Sequence, residues 1–242
     1  MLRVATWNLF HGRADPPAGR PLLHEFAVVL AGWSWDVALL QEVPPWWPPL
    51  LARACGAQHR TAPTSRNALL PVRRAIAARR PDLLRSNGGG SNAILVRPPL
   101  TITAHGLRRL RWLPERRVAH AVRLGGVERP SADGLWVGNA HGQKGEWDDG
   151  PGLERPLADL RTAVARLEAW GSADAPLLLG GDLNLPREAV AAALPAGWTR
   201  IATSGPDHVV GRGLEASGDS WRPARSTLSD HAALVVDVED RR

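Results

Sequence analysis

The chain has 242 residues, 44% of them hydrophobic, and a formal charge of +6 with a pI near 11.1. That is enough chain for one domain with a substantial core, and it excludes disordered and collagen-like classes. A single cysteine, Cys55, excludes an intrachain disulfide and a cysteine-based zinc site, and no apolar run reaches the roughly 18 residues of a membrane span.

In chain order, Arg3 to Leu9 reads as an apolar strand that carries Asn8 near its end (T-W-N-L). Pro21 to Trp33 has helical spacing, with Leu22, Leu23, Phe26, Val29 and Leu30 on one face. Asp36 to Leu40 is a buried strand ending at Gln41-Glu42, and Pro44-Pro45 then starts a helix whose inner side carries Trp46, Trp47, Leu50 and Leu51. Cys55 ends that segment and is expected to be buried as a small apolar residue. His59 to Gly90 is the least regular stretch. It is expected to be a surface excursion with a short basic helix over 69–79, either a solvated face or an arm that tracks phosphates.

Asn92 to Arg97 is the next strand, opening S-N-A-I-L. Thr101 to Leu110 and Arg117 to Leu124 pair as a hairpin, with Arg108, Arg109, Arg111, Arg116 and Arg117 crowding the connection. Leu135 to Ala140 delivers His141, and residues 143–152 form a polar loop able to cover a site. Leu153 to Trp170 is the longest helix, with Leu153, Leu157, Leu160, Val164 and Leu167 on one face. Pro176 to Gly180 runs into G-G-D-L-N, which holds Asp182 and Asn184. Pro186 to Leu194 reads as a helix, and Val209 to Leu214 and Ala232 to Val238 as strands. Asp207 precedes the first of these, and Asp230-His231 precede the second. No composition break marks a linker, so one domain over 1–242 is expected.

Acids, amides and imidazoles thus sit at the ends of several apolar runs. Strand ends far apart in sequence can converge on one rim of a sheet. Two imidazoles and four carboxylates there point to metal-assisted chemistry on a phosphate. The ordered set W-N, Q-E, G-D-x-N and S-D-H, from Val4 to Val238, resembles the endonuclease/exonuclease/phosphatase superfamily. The resemblance implies an α/β fold: a four-layer α/β/β/α sandwich of two mixed sheets flanked by helices. It implies a Mg2+- or Mn2+-dependent phosphoesterase, most simply a phosphodiesterase of nuclease type.

By that resemblance Glu42 is the main metal ligand, assisted by Asn8 and Asp230. A buried carboxylate at an apolar strand end is costly without such a partner. Asp182 positions or deprotonates the attacking water, and Asn184 and Asn92 hold phosphate oxygens. His231 contacts the scissile phosphate with Asp207 fixing its tautomer, and His141 supports the phosphorane. Histidine suits proton transfer near neutral pH. A carboxylate partner for His141 is not identifiable, with Glu146 a guess.

His11, His24, His59, His105 and His120 follow no ligand spacing and are expected to be structural, although His11 and Arg13 lie near enough to Asn8 to line the rim. His208 is expected in packing or at the surface. Trp7, Trp33, Trp136 and Trp170 are expected in the core, and Trp46, Trp47, Trp147 and Trp221 at the rim. The basic balance favours an anionic partner such as nucleic acid, although Lys144 is the only lysine and arginine enrichment also fits compositional bias. Met1 leads straight into a strand, so a soluble, cytoplasmic monomer is expected.

The alternatives are a phosphatase or phospholipid phosphodiesterase, against which stands the absence of an evident hydrophobic protrusion, and a non-catalytic binding module on the same fold. Loops 57–90 and 143–152 hold the choice of substrate.

Overall fold

A computed structural model describes residues 1–64, 67, 69–80, 83, 90–113, 115–126, 134–144 and 150–241. The strands are β1 (Leu2–Asn8), β2 (Val37–Val43), β3 (Gln58–Pro63), β4 (Ser91–Val96), β5 (Thr101–Arg111), β6 (Arg117–Gly125), β7 (Leu135–Ala140), β8 (Leu177–Asp182), β9 (Trp198–Ser204), β10 (Asp207–Arg212), β11 (Leu214–Ala216) and β12 (Leu234–Asp240). The helices are α1 (Leu23–Gly32), α2 (Pro48–Ala54), α3 (Leu70–Ala77), α4 (Glu154–Trp170) and α5 (Arg187–Ala193).

Period-two alternation creates the layers. Leu2 and Val4 of β1, Val37 and Leu39 of β2, and Ile94 and Val96 of β4 enter one apolar cluster. Their neighbours Ala5, Trp7, Ala38, Leu40, Ala93 and Leu95 enter another, with Phe26 and Leu30 of α1 and Leu51 of α2. A third cluster joins Leu177 and Leu179 of β8 to Leu160, Ala163, Val164 and Leu167 of α4. The buried α4 residues follow helical spacing on one face.

The strands form two six-stranded sheets, ordered β11-β12-β1-β2-β4-β3 and β5-β6-β7-β8-β10-β9. Both are mixed: β1 pairs parallel with β2 and antiparallel with β12, and β7 pairs parallel with β8 while β10 runs antiparallel to it. The result is the expected α/β/β/α sandwich.

Several boundaries differ from expectation. The excursion contains an edge strand, β3, whose Gln58 to Pro63 pair with β4; its polar composition hid it. The helix after Glu42 starts at Pro48, not at Pro44-Pro45, because Pro44 to Trp47 first make a turn and Pro48 then occupies the first helical position. Strand β10 begins at Asp207, two residues early, since Asp207 itself pairs with Asp182. Strand β12 starts later than expected, at Leu234.

Helix α3 lies where the basic helix was expected, and none of its residues is buried. It is not simply a solvated polar face. Leu69, Val72, Ile76 and Leu83 stand exposed beside Arg73, Arg74, Arg79 and Arg80, so a hydrophobic protrusion exists after all. Cys55 is buried. Among the described residues, no helix is long and apolar enough to cross a membrane.

Candidate active site

Toward one end of the strands the layer between the sheets turns polar. The apolar series Leu2-Val4 continues as Thr6 and Asn8, Val37-Leu39 as Gln41, and Val96-Ile94 as Asn92. From the facing sheet come His120, Asn139, Asp182 and Asp207, each buried. Gln41 Nε2 donates to Thr6 Oγ1 (3.1 Å) and Asn139 Oδ1 (2.9 Å). Asn139 Nδ2 donates to the carbonyls of Leu40 and Ala93, both at 2.9 Å. This amide lattice ties the two sheets together beneath the site. Buried side-chain networks of this kind help to specify one arrangement of the sheets.

Above it opens a cavity of about 270 Å³ lined by Asn8, His11, Arg13, Glu42, Thr64, Arg116, Arg117, His141, Lys144, Asp182, Asn184, Asp230 and His231 among others. Most of the expected residues therefore converge. Asp207 stands behind His231, its Oδ2 2.9 Å from His231 Nδ1. The Nε2 atom of His231 lies 3.8 Å from Asp182 Oδ2, and that of His141 lies 3.5 Å from the same oxygen. Asp182 is held from both sides: Asn8 Nδ2 donates to its Oδ2 (2.9 Å) and the Asn184 amide to its Oδ1 (3.1 Å). Asn184 Nδ2 is turned to the Gly142 carbonyl. Asp230 reaches within 3.9 Å of His231 Nε2.

Local backbone shape aims these groups. The β2–β4 register breaks between Leu40 and Val43, and Glu42 sits in that break with φ of 50°. Asn184 and Ser229 also have positive φ, at 52° and 64°. Left-handed non-glycine residues at a cleft are strain held in place by surrounding contacts. Ser229 supplies one such contact: its Oγ donates to the Asn8 carbonyl (2.7 Å) and accepts from the His231 amide (3.0 Å). Gly181, at φ of 141°, lies against β7, where a Cβ would come 1.9 Å from the Ala140 carbonyl oxygen.

Two expectations need correction. His11 is not merely structural: its Nε2 pairs with Glu42 Oε2 at 2.9 Å. It arrives there because Phe10 and His11 adopt positive φ in a 3-10 turn just beyond Asn8. Its place three residues past Asn8 was the available signal. Trp47 and Trp221 are not at the rim. Trp47 is buried, 5.4 Å from the Phe26 ring, and Trp221 covers Arg3, five residues and about 16 Å down β1 from Asn8. Trp46 is half-buried against the outer core; Trp147 and Glu146 lie outside the described residues, as do 145–149 of the expected covering loop.

Asn92 is fully buried, donates to the Val118 carbonyl (3.2 Å) and does not line the cavity. Its Oδ1 has no hydrogen-bond partner among the described residues. Arg117, expected only among the arginines that crowd the hairpin connection, is buried at the cavity wall, bonded to Glu115 (2.5 Å). His208 is buried and satisfied, as packing requires.

The electrostatics separate the groups. Burial alone would raise the Glu42 pKa, but the His11 hydrogen bond and the charges of His11, His141 and Arg117 hold it below the usual carboxylate range. Burial and then the charge of Asp207 raise Asp182, and burial raises Asp207 against its bond to His231. For His231 burial works downward, yet the Asp207 hydrogen bond and the charges of Asp207, Asp182 and Asp230 push it up to about 9. Burial and the charge of Arg117 keep His141 well below the ordinary value. The site therefore favours the charged form of His231 and the neutral form of His141.

The donor set is rich in oxygen: the Glu42, Asp182 and Asp230 carboxylates and the Asn8 and Asn184 amides. Such a set suits a hard divalent cation. Asp182, Asp207 and His231 also offer ligand atoms within 4.8 Å of one another, and Asp207 Oδ1 is buried with no hydrogen-bond partner among the described residues. Those three residues form a possible metal site.

Residues 5–231 match the model of the Endonuclease/Exonuclease/phosphatase family. The chain belongs to this family of phosphoesterase hydrolases. No curated protein matches it in sequence. Solved structures share the fold. An endonuclease/exonuclease/phosphatase from Beutenbergia cavernae superposes with TM-score 0.71 at 18% identity, covering 99% of this chain and 71% of that one. The catalytic domain of human Nocturnin with a bound sulfate anion gives 0.71 at 20% identity, with 99% and 93% covered. D. rerio TDP2 complexed with a single-strand DNA product gives 0.69 at 16%, with 98% of both chains covered.

Proposed function

We propose that the protein is a divalent-metal-dependent phosphodiesterase acting on nucleic acid. The observation that carries this reading is the joined constellation at one cavity: Asp207 on His231 at 2.9 Å, and Asp182 within 3.8 Å of His231 and 3.5 Å of His141. Glu42, with Asn8 and Asp230, would hold Mg2+ or Mn2+, which when bound supplies charge to offset the developing phosphorane.

The chain's own groups do the rest. Asp207 fixes the ring of His231 and keeps it charged, leaving Nε2–H for a phosphate oxygen. Asp182, raised by burial and clamped by Asn8 and Asn184, is a better proton acceptor for a water than an ordinary aspartate. Neutral His141 donates from Nε2 without adding charge. Arg117 and Lys144 at the wall draw in an anion. A net charge of +6 and the DNA-product complex of a structural neighbour support a nucleic-acid substrate.

Hydrolysis of single-stranded DNA, plasmid DNA, RNA and sphingomyelin with added magnesium or manganese tests this, with His231→Ala as control. Metal-dependent cleavage of nucleic acid by the native protein alone is expected. Cleavage that survives in the variant would refute the assignment. One observation favours a second reading, a lipid phosphodiester: α3 and the residues that follow it expose leucine, valine and isoleucine beside four arginines, a pattern of interfacial helices. The sphingomyelin arm decides it.

A further inference from the structure

Among the described tryptophans Trp112 is the most exposed, at 58%. It sits in the turn between β5 and β6, beside Leu113, and enters none of the three core clusters. Burial of an indole is strongly favourable, so a solvent-facing one outside the core clusters calls for a use. Trp112 is also held. The Arg109 guanidinium lies 3.7 Å over its ring, and that of Arg116 lies 5.6 Å from the ring centroid.

Arg116 lines the catalytic cavity, as do its neighbours Glu115 and Arg117. A single side chain therefore connects the exposed ring to the place where the phosphate would sit. The other arginines of the hairpin divide by role. Arg111 is tied to Asp159 and Arg117 to Glu115, whereas Arg108 and Arg109 face solvent.

We propose that Trp112, braced by Arg109 and Arg116, is the platform on which a nucleobase adjoining the scissile phosphate stacks. The proposal rests on the nucleic-acid reading above and adds to it the residue that grips the base. An aromatic ring paired with arginines suits single-stranded nucleic acid: the ring takes the base face of any base, and the arginines take the phosphates on either side. The same pairing gives little sequence preference, because every base presents a π face. Stacking away from the reacting phosphorus contributes equally to ground and transition states, so its loss raises KM and spares kcat.

The test is steady-state cleavage of a single-stranded oligonucleotide by the native protein, Trp112→Ala and Trp112→Phe. The oligonucleotide carries one abasic nucleotide moved stepwise along it. Binding to anionic phosphatidylserine vesicles is measured in parallel. As a surface residue outside the core, Trp112 can be truncated without loss of the fold. Trp112→Ala is expected to raise KM roughly tenfold with kcat nearly constant, and Trp112→Phe to recover most of it. One abasic position should raise the native KM by a similar factor and leave that of Trp112→Ala unchanged, as a shared contact requires. The proposal is overturned if the native protein cleaves the oligonucleotide and Trp112→Ala keeps its KM. It is equally overturned if Trp112→Ala loses vesicle binding alone. A native protein that cleaves no nucleic acid would instead defeat the functional reading, before any variant is compared.

Discussion

Asp207→Asn is the most informative single change. In the native protein Asp207 Oδ2 lies 2.9 Å from His231 Nδ1, and the ring's pKa is raised from 6.5 to about 9. That interval corresponds to roughly 3 kcal/mol of preference for the imidazolium. The asparagine removes the charge and replaces the strong acceptor. Burial, which disfavours the charged ring, stays in place, while Asp182 and Asp230 still oppose it. His231 should therefore fall to about 6.5 or lower.

The sign fixes the pH behaviour. A raised folded-state pKa makes the charged ring stabilising in full below pH 6.5, and that contribution is lost as pH rises through about 9. Activity that needs the imidazolium should decline over the same range in the native protein and near or below about pH 6.5 in Asp207→Asn. Titration of the imidazole by heteronuclear NMR between about pH 5 and pH 10, paired with pH–rate profiles, reads both effects. A native midpoint near 6.5, or a midpoint that Asp207→Asn leaves in place, would refute the reasoning.

His11→Ala removes the 2.9 Å partner of Glu42. It should raise the magnesium concentration for half-maximal activity about 10- to 100-fold, as loss of a group that orients a metal ligand does; a magnesium titration measures it. Gly181→Ala would place a methyl 1.9 Å from the Ala140 carbonyl oxygen at a φ of 141°. A cost of more than about 3 kcal/mol is expected, seen as a lowered Tm or loss of soluble protein.

What the sequence disclosed follows from where its signals lie. Asn8, Glu42, Asp182, Asn184 and His231 each sit at the end of an apolar run, and strand ends converge whenever the sheets pack face to face. His11 was expected at the rim at most, and its bond to Glu42 was not foreseen because it reaches Glu42 through two consecutive positive-φ residues, which no periodicity announces. Arg117 is buried although Arg108 and Arg109 of the same hairpin are exposed, because it opens β6, whose first six residues are all buried. Asn92 followed the opposite course. Alternation turns it into the layer between the sheets, where it bonds Val118 rather than facing the cavity. Gln41 and Asn139, which join the sheets under the site, are separated by 98 residues, so their pairing became visible only in the fold. Trp112 lies in a turn crowded with charge, and nothing local distinguishes a stacked ring from a buried one.

The most direct test of the central claim is cleavage of a 5′-labelled single-stranded DNA by the native protein and by Asp182→Asn, with magnesium and with EDTA. Asp182 is the carboxylate on which Asn8, Asn184, His141 and His231 converge. Cleavage that needs magnesium and falls at least about a hundredfold in Asp182→Asn is the predicted result. Equal rates in the two proteins, or rates indifferent to EDTA, would contradict it.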